Sequence, residues 1–357
     1  MDIKNKPQYL RTAELLAERV SYGDYLLTEV PSTRKLAEEL DVSHIVARKA
    51  VEKLLNDGLF RRTENGRMVV NRANSENREP TVAMLFPAFA SNYFQNCRIQ
   101  IEQAAARKHG KFRPVNFVHW NEPVIRETLN NFSGVFLFGS AETPDADALE
   151  LFRKKRHGLV TVDLDLTELG IPRLAPFDTS RVRPLLKHLA GLGLRRIDCV
   201  NTQPCDVETT RRIGAWLEGM HTLGYTGTLH NEPVKSYESP TQQAHELLRE
   251  RLKHGLNAEA FFCTNEGVAY GVARALLDAG RIPGRDIRLA AIGDGGNCRY
   301  FSPSITCIEL PDMAPELDAV LDWMFDPQSP EWKGGPTLLP ADIPLFIGES
   351  TVRNETI

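Results

Sequence analysis

Residues 260–294 read AFFCTNEGVAYGVARALLDAGRIPGRDIRLAAIGD, and this stretch decides the fold. Segments 260–263 and 287–292 are mainly apolar, which is typical of strands that are covered on both faces of a parallel sheet. The segment between them, 267–279, has the length and the apolar spacing of a helix. A strand, a helix and a second strand in this order predict a β-α-β unit of an α/β domain.

The same alternation extends over most of the chain after residue 80. Apolar strand patterns occupy residues 82–86, 114–118, 134–138, 159–164 and 196–200, and helical patterns occupy 92–109, 179–192, 209–223 and 241–254. About ten strands of this kind are too many for one comfortable sheet. We therefore predict a two-lobed α/β domain with parallel sheets.

The first 70 residues follow a different pattern. Three helical segments, at 8–22, 31–40 and 43–57, precede two short strand patterns at 59–63 and 67–70. The strand patterns are joined by Glu64-Asn65-Gly66, and Asn-Gly is a strong signal for a β-hairpin. Three helices followed by a basic hairpin predict a winged helix.

A polar segment separates the two regions. Residues 71–80 (NRANSENREP) lack periodicity and end in proline, which is typical of a linker. We predict a winged helix-turn-helix domain over 1–72, a linker over 73–80, and a two-lobed effector-binding and dimerisation domain over 81–357.

Charge is distributed unevenly along the chain. The net charge is −4, but residues 1–72 hold 13 Lys and Arg against 11 Asp and Glu, and residues 43–72 hold 7 against 3. A local basic patch on an acidic protein suits a polyanionic partner such as DNA. No apolar run approaches the ~20 residues that span a bilayer, and no signal peptide is visible, so we expect a cytoplasmic protein without a membrane partner.

The cysteines carry no metal-binding pattern. None forms a CxxC pair, and no histidine stands at zinc-ligand spacing. We expect buried reduced thiols, no metal site and no cofactor. The six are Cys97, Cys199, Cys205, Cys263, Cys298 and Cys307.

The N-terminal region resembles the GntR-type winged helix. The residues that carry the resemblance are 30–37 (VPSTRKLA), 41–43 (DVS), 48–51 (RKAV) and 56–60 (NDGLF). They resemble the family's LPSERxLA, GVS, VRxAL and ExGLL segments at the same spacing. The resemblance implies binding to double-stranded operator DNA.

Residues 81–350 resemble the effector domain of the lac/gal-repressor family, which shares the fold of periplasmic sugar-binding proteins. The resemblance rests on segments in the family's order: 92–94 (NYF) after a strand, 184–189 with 193–197, 211–216 (RRIGAW), 264–266 (TNE), 292–294 (IGD), 302–306 (SPSIT) and 349–351 (EST). It implies a ligand-responsive repressor that acts as a homodimer and binds a small polar molecule, a sugar by analogy. The winged helix replaces that family's usual helix-turn-helix, so we expect no hinge helix.

A recognition helix and a wing supply the predicted DNA contacts. The guanidinium of Arg48 can pair with guanine O6 and N7, and Ile45 can pack on a thymine methyl group. Ser43 stands at a helix start, where backbone N–H groups favour a phosphate. The full set is Arg34, Ser43, His44, Ile45, Arg48, Lys49, Arg62, Asn65, Gly66 and Arg67.

The effector is expected between the lobes, at the carboxyl ends of the strands. A sugar needs planar donors and acceptors and an aromatic wall. The residue types at strand ends and in the family segments that supply these groups are Tyr93, Phe94, Ser140, Asp178, Arg211, Asn265 and Asp294. The neighbouring Arg212 is an alternative to Arg211.

Two other classes of protein share the predicted α/β fold. An enzyme is disfavoured because the chain has no GxGxxG, P-loop, HExxH or GxSxG motif and no paired catalytic carboxylates. A periplasmic solute-binding protein is disfavoured by the missing export signal and by the N-terminal helices. The sign of the ligand's effect on DNA binding is left open.

Overall fold

The structure is a computed structural model. It describes residues 6–25, 29–71, 79–88, 91–177, 179–204, 206–235, 238–293, 296–326, 328–329, 331–341 and 344–352.

The N-terminal region contains the three predicted helices and the predicted hairpin, in the predicted order. These elements are α1 (Gln8–Ser21), α2 (Thr33–Glu39), α3 (His44–Asn56), β1 (Phe60–Arg62) and β2 (Met68–Val70). Ser32 and Ser43 cap α2 and α3, because their hydroxyls accept from the backbone N–H groups of Lys35 and Val46 at 3.4 and 3.3 Å. The two strands pair antiparallel, and the hairpin closes onto the helices through the buried Phe60.

Lobe 1 is a six-stranded, fully parallel sheet with helices on its faces. Its strands are β3 (Thr81–Pro87), β4 (Lys111–Phe117), β5 (Gly134–Phe138), β6 (Leu159–Val162), β7 (Arg173–Leu174) and β13 (Thr337–Leu338), in the spatial order 13-7-6-5-3-4. Its helices are α4 (Asn92–Arg107), α5 (Pro123–Asn131), α6 (Ala146–Lys154) and α11 (Ala314–Phe325). Strand β5 is buried at every position, as expected for a sheet covered on both faces.

Lobe 2 is a second six-stranded sheet. Its strands are β8 (Ile197–Asn201), β9 (Leu229–Asn231), β10 (Ala260–Cys263), β11 (Arg288–Ile292), β12 (Thr306–Ile308) and β14 (Leu345–Phe346), in the order 14-12-11-10-8-9. Its helices are α7 (Val182–Gly191), α8 (Val207–Leu223), α9 (Pro240–Lys253) and α10 (Glu266–Asp278). The prediction of parallel sheets needs one correction, because β14 runs antiparallel to β12.

The lobes exchange segments near the chain's end. The chain leaves lobe 1 after β7, returns to it after β12 to form α11 and β13, and then re-enters lobe 2 as β14. Because each lobe contains pieces from distant parts of the sequence, neither lobe is a contiguous stretch of chain. The carboxyl ends of the main strands of both sheets point toward the space between the lobes.

The apolar core lies between the sheets and the helices that cover them, and five of the cysteines are part of it. Cys97, Cys199, Cys263, Cys298 and Cys307 are buried free thiols, which confirms the prediction for these five. The sixth, Cys205, lies outside the described residues. No helix in the described part of the chain is long and apolar enough to cross a membrane.

The N-terminal region touches lobe 1 directly. Arg113 on β4 forms an ion pair with Asp24, just after α1, at 2.6 Å between Nη1 and Oδ1. Lys111 lies 4.7 Å above the centre of the Tyr22 ring and pairs with Glu79 at 3.2 Å. Residues 73–78 of the predicted linker (73–80) lie outside the described residues. The contact with β4 therefore joins the two regions independently of that segment.

The turn before β6 depends on a glycine, which yields a stability prediction. Gly158 has φ +73°, and a Cβ there would lie 2.4 Å from the carbonyl oxygen of Ser133. Gly193 has φ +79° but open space around the same position. Alanine should cost about 1–2 kcal/mol of backbone strain at either site, and the clash should add to this only at Gly158.

We expect Gly158→Ala to lower the melting temperature by clearly more than Gly193→Ala, measured by differential scanning calorimetry of the full chain. Each 1 kcal/mol corresponds to about 2–4 °C for domains of this size. Equal shifts for the two variants would contradict this account of the turn.

Candidate functional site

A cleft opens between the lobes at the carboxyl ends of the strands. It encloses about 710 Å³, including its open mouth. Lobe 1 lines it with the start of α4 and the residues after β5 and β6, and lobe 2 with the residues before and within the first turns of α8. The lining residues are Ser91, Tyr93, Phe94, Phe138, Gly139, Ser140, Val162, Asp163, Leu164, Gln203, Asp206, Val207, Glu208, Thr209 and Arg212.

Aromatic rings form one wall of the cleft. The Tyr93 ring lies 5.8 Å from Phe94, 6.1 Å from Phe138 and 5.6 Å from Phe177, measured between ring centres. Phe94 and Phe138 pack edge to face at 5.4 Å and are buried. A wall of this kind offers an apolar surface to the C–H face of a flat or ring-shaped ligand.

Asp163 is the most perturbed carboxylate in the cleft. It follows β6 with φ +60°, a left-handed conformation that non-glycine residues adopt infrequently, and it is 8% exposed. The Tyr93 hydroxyl donates to Oδ2, while Oδ1 is buried without a partner among the described residues. Burial, the largest cause, and the neighbouring Glu208 carboxylate raise the pKa of Asp163 to about 7.

Arg212 is the cation that faces this carboxylate region. It is 8% exposed, and its Nη1 donates to the carbonyl oxygen of Thr264 at 3.0 Å. Its guanidinium lies 5.2 Å from the centre of the Phe177 ring. Within the described residues its Nε has no partner, and neither does the side-chain oxygen of Gln203. The cleft thus presents unpaired donors and acceptors together, as a hydroxyl-rich ligand requires.

The structure places the predicted effector residues in three groups. Tyr93, Phe94 and Ser140 line the cleft. Arg211 and Asn265 do not line it. Asp178 and Asp294 lie outside the described residues.

Both departures have a local cause. Asn265 caps α10, because its side-chain oxygen accepts from the N–H of Val268 at 2.8 Å. Arg211 is turned toward Glu208, with 2.6 Å between Nη1 and Oε1, and toward Asp165 at 3.8 Å. One position along a helix rotates a side chain by about 100°, so Arg212 faces the cleft instead.

Sequence reasoning missed several polar residues of the cleft. Asp163, Asp206 and Glu208 were not in the predicted set, although Asp163 stands at the carboxyl end of a predicted strand. Ligands of α/β folds bind outside the carboxyl ends of the strands, so the position of Asp163 was itself a signal. Asp206 and Glu208 carried no comparable signal, because their place depends on the packing of α8 against lobe 1.

The predicted recognition helix exposes one face. On α3, the exposed positions include His44, Ile45, Arg48 and Lys49, and Ile45 is 61% exposed. Arg48 makes only a loose pair with Glu52 at 3.5 Å, with both side chains more than half exposed. Such a pair contributes little, so the guanidinium is available to another anion.

The remaining predicted DNA residues are also at the surface. Arg34 is exposed on α2, and Ser43 caps α3. In the hairpin, Arg62 donates to the carbonyl of Gly66 at 3.2 Å, and Arg67 pairs with Glu29 at 2.6 Å. Asn65 is exposed at the turn, and Arg61, which the sequence reasoning left out, is exposed on β1.

Known proteins resemble the two-lobed part of the chain. Residues 186–315 match the family of periplasmic binding protein-like domains. The C-terminal part has a periplasmic-binding-protein-like fold. The maltose regulon regulatory protein MalI of Escherichia coli K12 is 24% identical over 196 residues, so the match spans about half of this chain and half of MalI.

Solved structures agree at the level of the fold. The lac repressor dimer bound to operator and the anti-inducer ONPF has a TM-score of 0.65 at 16% identity, covering 80% of this chain and 99% of that one. Transcription regulator CcpA of Lactococcus lactis has a TM-score of 0.62 at 19% identity, and the match covers 77% of this chain and 100% of CcpA. A LacI family transcriptional regulator from Enterococcus faecium with bound ribose has a TM-score of 0.63 at 20% identity, and the match covers 77% of this chain and 100% of that regulator.

The raised pKa of Asp163 predicts how stability changes with pH. The folded protein holds this proton up to about pH 7, whereas the unfolded chain releases it near 3.8. Between these values the folded state binds more protons, so the free energy of unfolding falls as pH rises.

We expect Asp163→Asn, which stays neutral, to reduce this fall between about pH 4 and pH 7. Melting temperatures of the wild type and the variant, measured across that range, check the prediction. Parallel pH profiles for the two proteins would contradict it.

Proposed function

We propose that the chain is a ligand-responsive transcription repressor. Its N-terminal region binds operator DNA, and its two-lobed part binds a small polar effector, a sugar. The observation that carries the proposal is a cleft with unpaired buried polar groups, joined in one chain to a small helical unit with an exposed cationic face. The named relatives are regulators, which supports a regulator over an enzyme.

We infer that the N-terminal unit is a winged helix-turn-helix of the GntR type, spanning residues 1–72. Three helices followed by an antiparallel hairpin support this, since a hairpin after the third helix is the wing of that motif. Helix α3 would enter the major groove, with Arg48 and Ile45 toward the bases. Arg61, Arg62 and Arg67 on the hairpin would contact the adjacent backbone.

The cleft chemistry supports a neutral polyol as the effector. Asp163 and Gln203 offer acceptors, Arg212 offers a donor, and the aromatic wall offers a stacking face. The ribose-bound regulator from Enterococcus faecium supports a sugar in a fold of this kind. The acidic side chains of Asp206 and Glu208, which also line the cleft, disfavour an anionic ligand.

Homodimerisation would connect the two activities. Paired winged helices engage half-sites about 34–36 Å apart, so a modest movement of the lobes prevents both from binding at once. The ion pair between Asp24 and Arg113 connects lobe 1 directly to the end of α1. A change in the lobe's orientation would therefore move the DNA-binding unit as well.

The DNA contact is testable with a matched pair of variants. Arg48 and Arg153 are both 58% exposed, and each pairs with a glutamate on its own helix. We expect Arg48→Ala to weaken binding to the duplex upstream of the chain's own gene by about 1–3 kcal/mol. Arg153→Ala, on lobe 1, should leave the affinity unchanged.

Fluorescence anisotropy over a series of salt concentrations measures both effects, because phosphate contacts make affinity fall as salt rises. Equal affinities for Arg48→Ala and Arg153→Ala would count against α3 as the recognition helix. Salt-independent binding would count against DNA as the partner.

The effector proposal is testable by thermal shift with a panel of monosaccharides and disaccharides. A sugar at 100 times its dissociation constant should add about 2.7 kcal/mol to the free energy of unfolding and so raise the melting temperature. Asp163→Ala should remove that rise. The same sugar should change DNA affinity. Turnover of the bound sugar would indicate an enzyme, and binding without any effect on DNA would indicate a solute-binding protein.

A further inference from the structure

Four charged side chains form a closed ring between the lobes, beside the cleft. Arg173 contacts Glu208 at 3.1 Å and Asp165 at 3.4 Å. Arg211 contacts the same two carboxylates, Glu208 at 2.6 Å and Asp165 at 3.8 Å. Each cation therefore touches both anions, and each anion touches both cations.

The ring joins the two lobes. Asp165 follows β6 and Arg173 opens β7, so both belong to lobe 1, whereas Glu208 and Arg211 lie on the first turns of α8 in lobe 2. Two of the four contacts, Arg173 with Glu208 and Arg211 with Asp165, cross from one lobe to the other. The other two lie within a lobe and cannot hold the lobes together.

The inner half of the ring is shielded from water. The side chains of Arg173 and Glu208 are 10% and 13% exposed, whereas those of Asp165 and Arg211 are 40% and 31% exposed. A desolvated charge that loses its partner is strongly unfavourable. Separation of the lobes, which would hydrate both charges, then becomes the favoured response to a broken inner pair.

The ring also borders the ligand space. Glu208 lines the cleft, and its charge contributes to the raised pKa of Asp163. A hydrogen bond adds to the closure, because the Asn92 side-chain nitrogen on lobe 1 donates to Oε1 of Glu266 on lobe 2 at 2.8 Å. The lobes are thus held together by contacts that involve no ligand.

We propose that Asp165, Arg173, Glu208 and Arg211 form an electrostatic latch that keeps the cleft closed in the unliganded protein. Arg211, which the family resemblance assigns to the effector, belongs to this latch. The proposal rests on the proposed function only in taking the cleft as the effector site. A ligand that separates the lobes must break these ion pairs, and a ligand that keeps the lobes together leaves them intact.

Charge reversal separates an interlobe latch from an internal structural role. Arg173→Glu or Glu208→Arg alone places like charges across the lobes and should open the cleft. Combining them makes lobe 1 carry two anions and lobe 2 two cations in the ring. Both interlobe pairs are then opposite in sign, while both pairs within a lobe are repulsive.

The readout is hydrogen–deuterium exchange of the full chain without DNA or sugar, followed in segments 163–174 and 206–212. We expect each single variant to exchange about fivefold faster or more in both segments, and the double variant to return toward the wild-type rate. Exchange in α9, none of whose residues lines the cleft, should stay unchanged. Arg153→Glu, which breaks an exposed pair within α6, is the control and should change neither segment.

Single variants that exchange like the wild type would overturn the proposal, as would a double variant as fast as the singles. If the reversals unfold the chain, two milder perturbations decide the question. Arg211→Ala removes the partly exposed cation, and raising NaCl from about 0.1 M to about 1 M shortens the Debye length from about 10 Å to about 3 Å. Both perturbations weaken the partly exposed interlobe pair of Arg211 with Asp165 and should speed exchange in both segments. Exchange that neither perturbation changes would refute the latch. This experiment contains neither DNA nor sugar, so its outcome does not decide whether the chain is a repressor. The DNA-binding and sugar-binding experiments decide that separately.

Discussion

Charges that are buried between two lobes must be paired or hydrated, and this requirement organises the molecule. The strands of both sheets are apolar and covered by helices, so polar side chains are concentrated where strands end. Both sets of strand ends meet at one cleft. Asp163, Arg173, Glu208 and Arg212 are placed there together, some satisfied by each other and some unsatisfied.

The paired and the unpaired polar groups of this region have different roles, one in holding the lobes together and the other in binding a ligand. The paired charges hold lobe 1 against lobe 2 and need no ligand. The unpaired atoms of Asp163 and Arg212 need a partner that brings its own donors and acceptors. Glu208 belongs to both sets, since it closes the ion-pair ring and lines the cleft. Binding and lobe movement are therefore linked through one carboxylate.

The N-terminal unit adds a second surface with a different logic. Its cations are exposed on α3 and on the hairpin, and their internal partners are loose or solvated. Such charges cost little to keep in water and are ready to pair with phosphates. The contact of Asp24 with Arg113 joins the unit that carries this surface to lobe 1, which also contains Asp163 and Arg173.

Much of the fold was predictable because its signals are local. Apolar runs at 134–138 and 260–263 coincide with β5 and β10, and the Asn-Gly turn marks the hairpin. The two-residue strands β7, β13 and β14 are too short for any periodicity to show, and only tertiary pairing defines them.

The candidate site was less predictable, because it depends on how α8 packs between the lobes. The motif at 211–216 pointed to the right helix turn, but the phase of that helix assigns Arg212 to the cleft and Arg211 to an ion pair. Asp165 and Arg173 carried no motif at all. Their role follows only from the approach of two lobes that are distant in sequence.

Genome-wide DNA occupancy by the chain, mapped with and without added sugars in cells that express it, tests whether ligand binding in the cleft controls DNA binding. We expect occupancy at a small set of promoters, and we expect at least one sugar to alter it for the wild type but not for Asp163→Ala. If no promoter is occupied, or if no sugar alters the occupancy, the chain is not a sugar-responsive repressor.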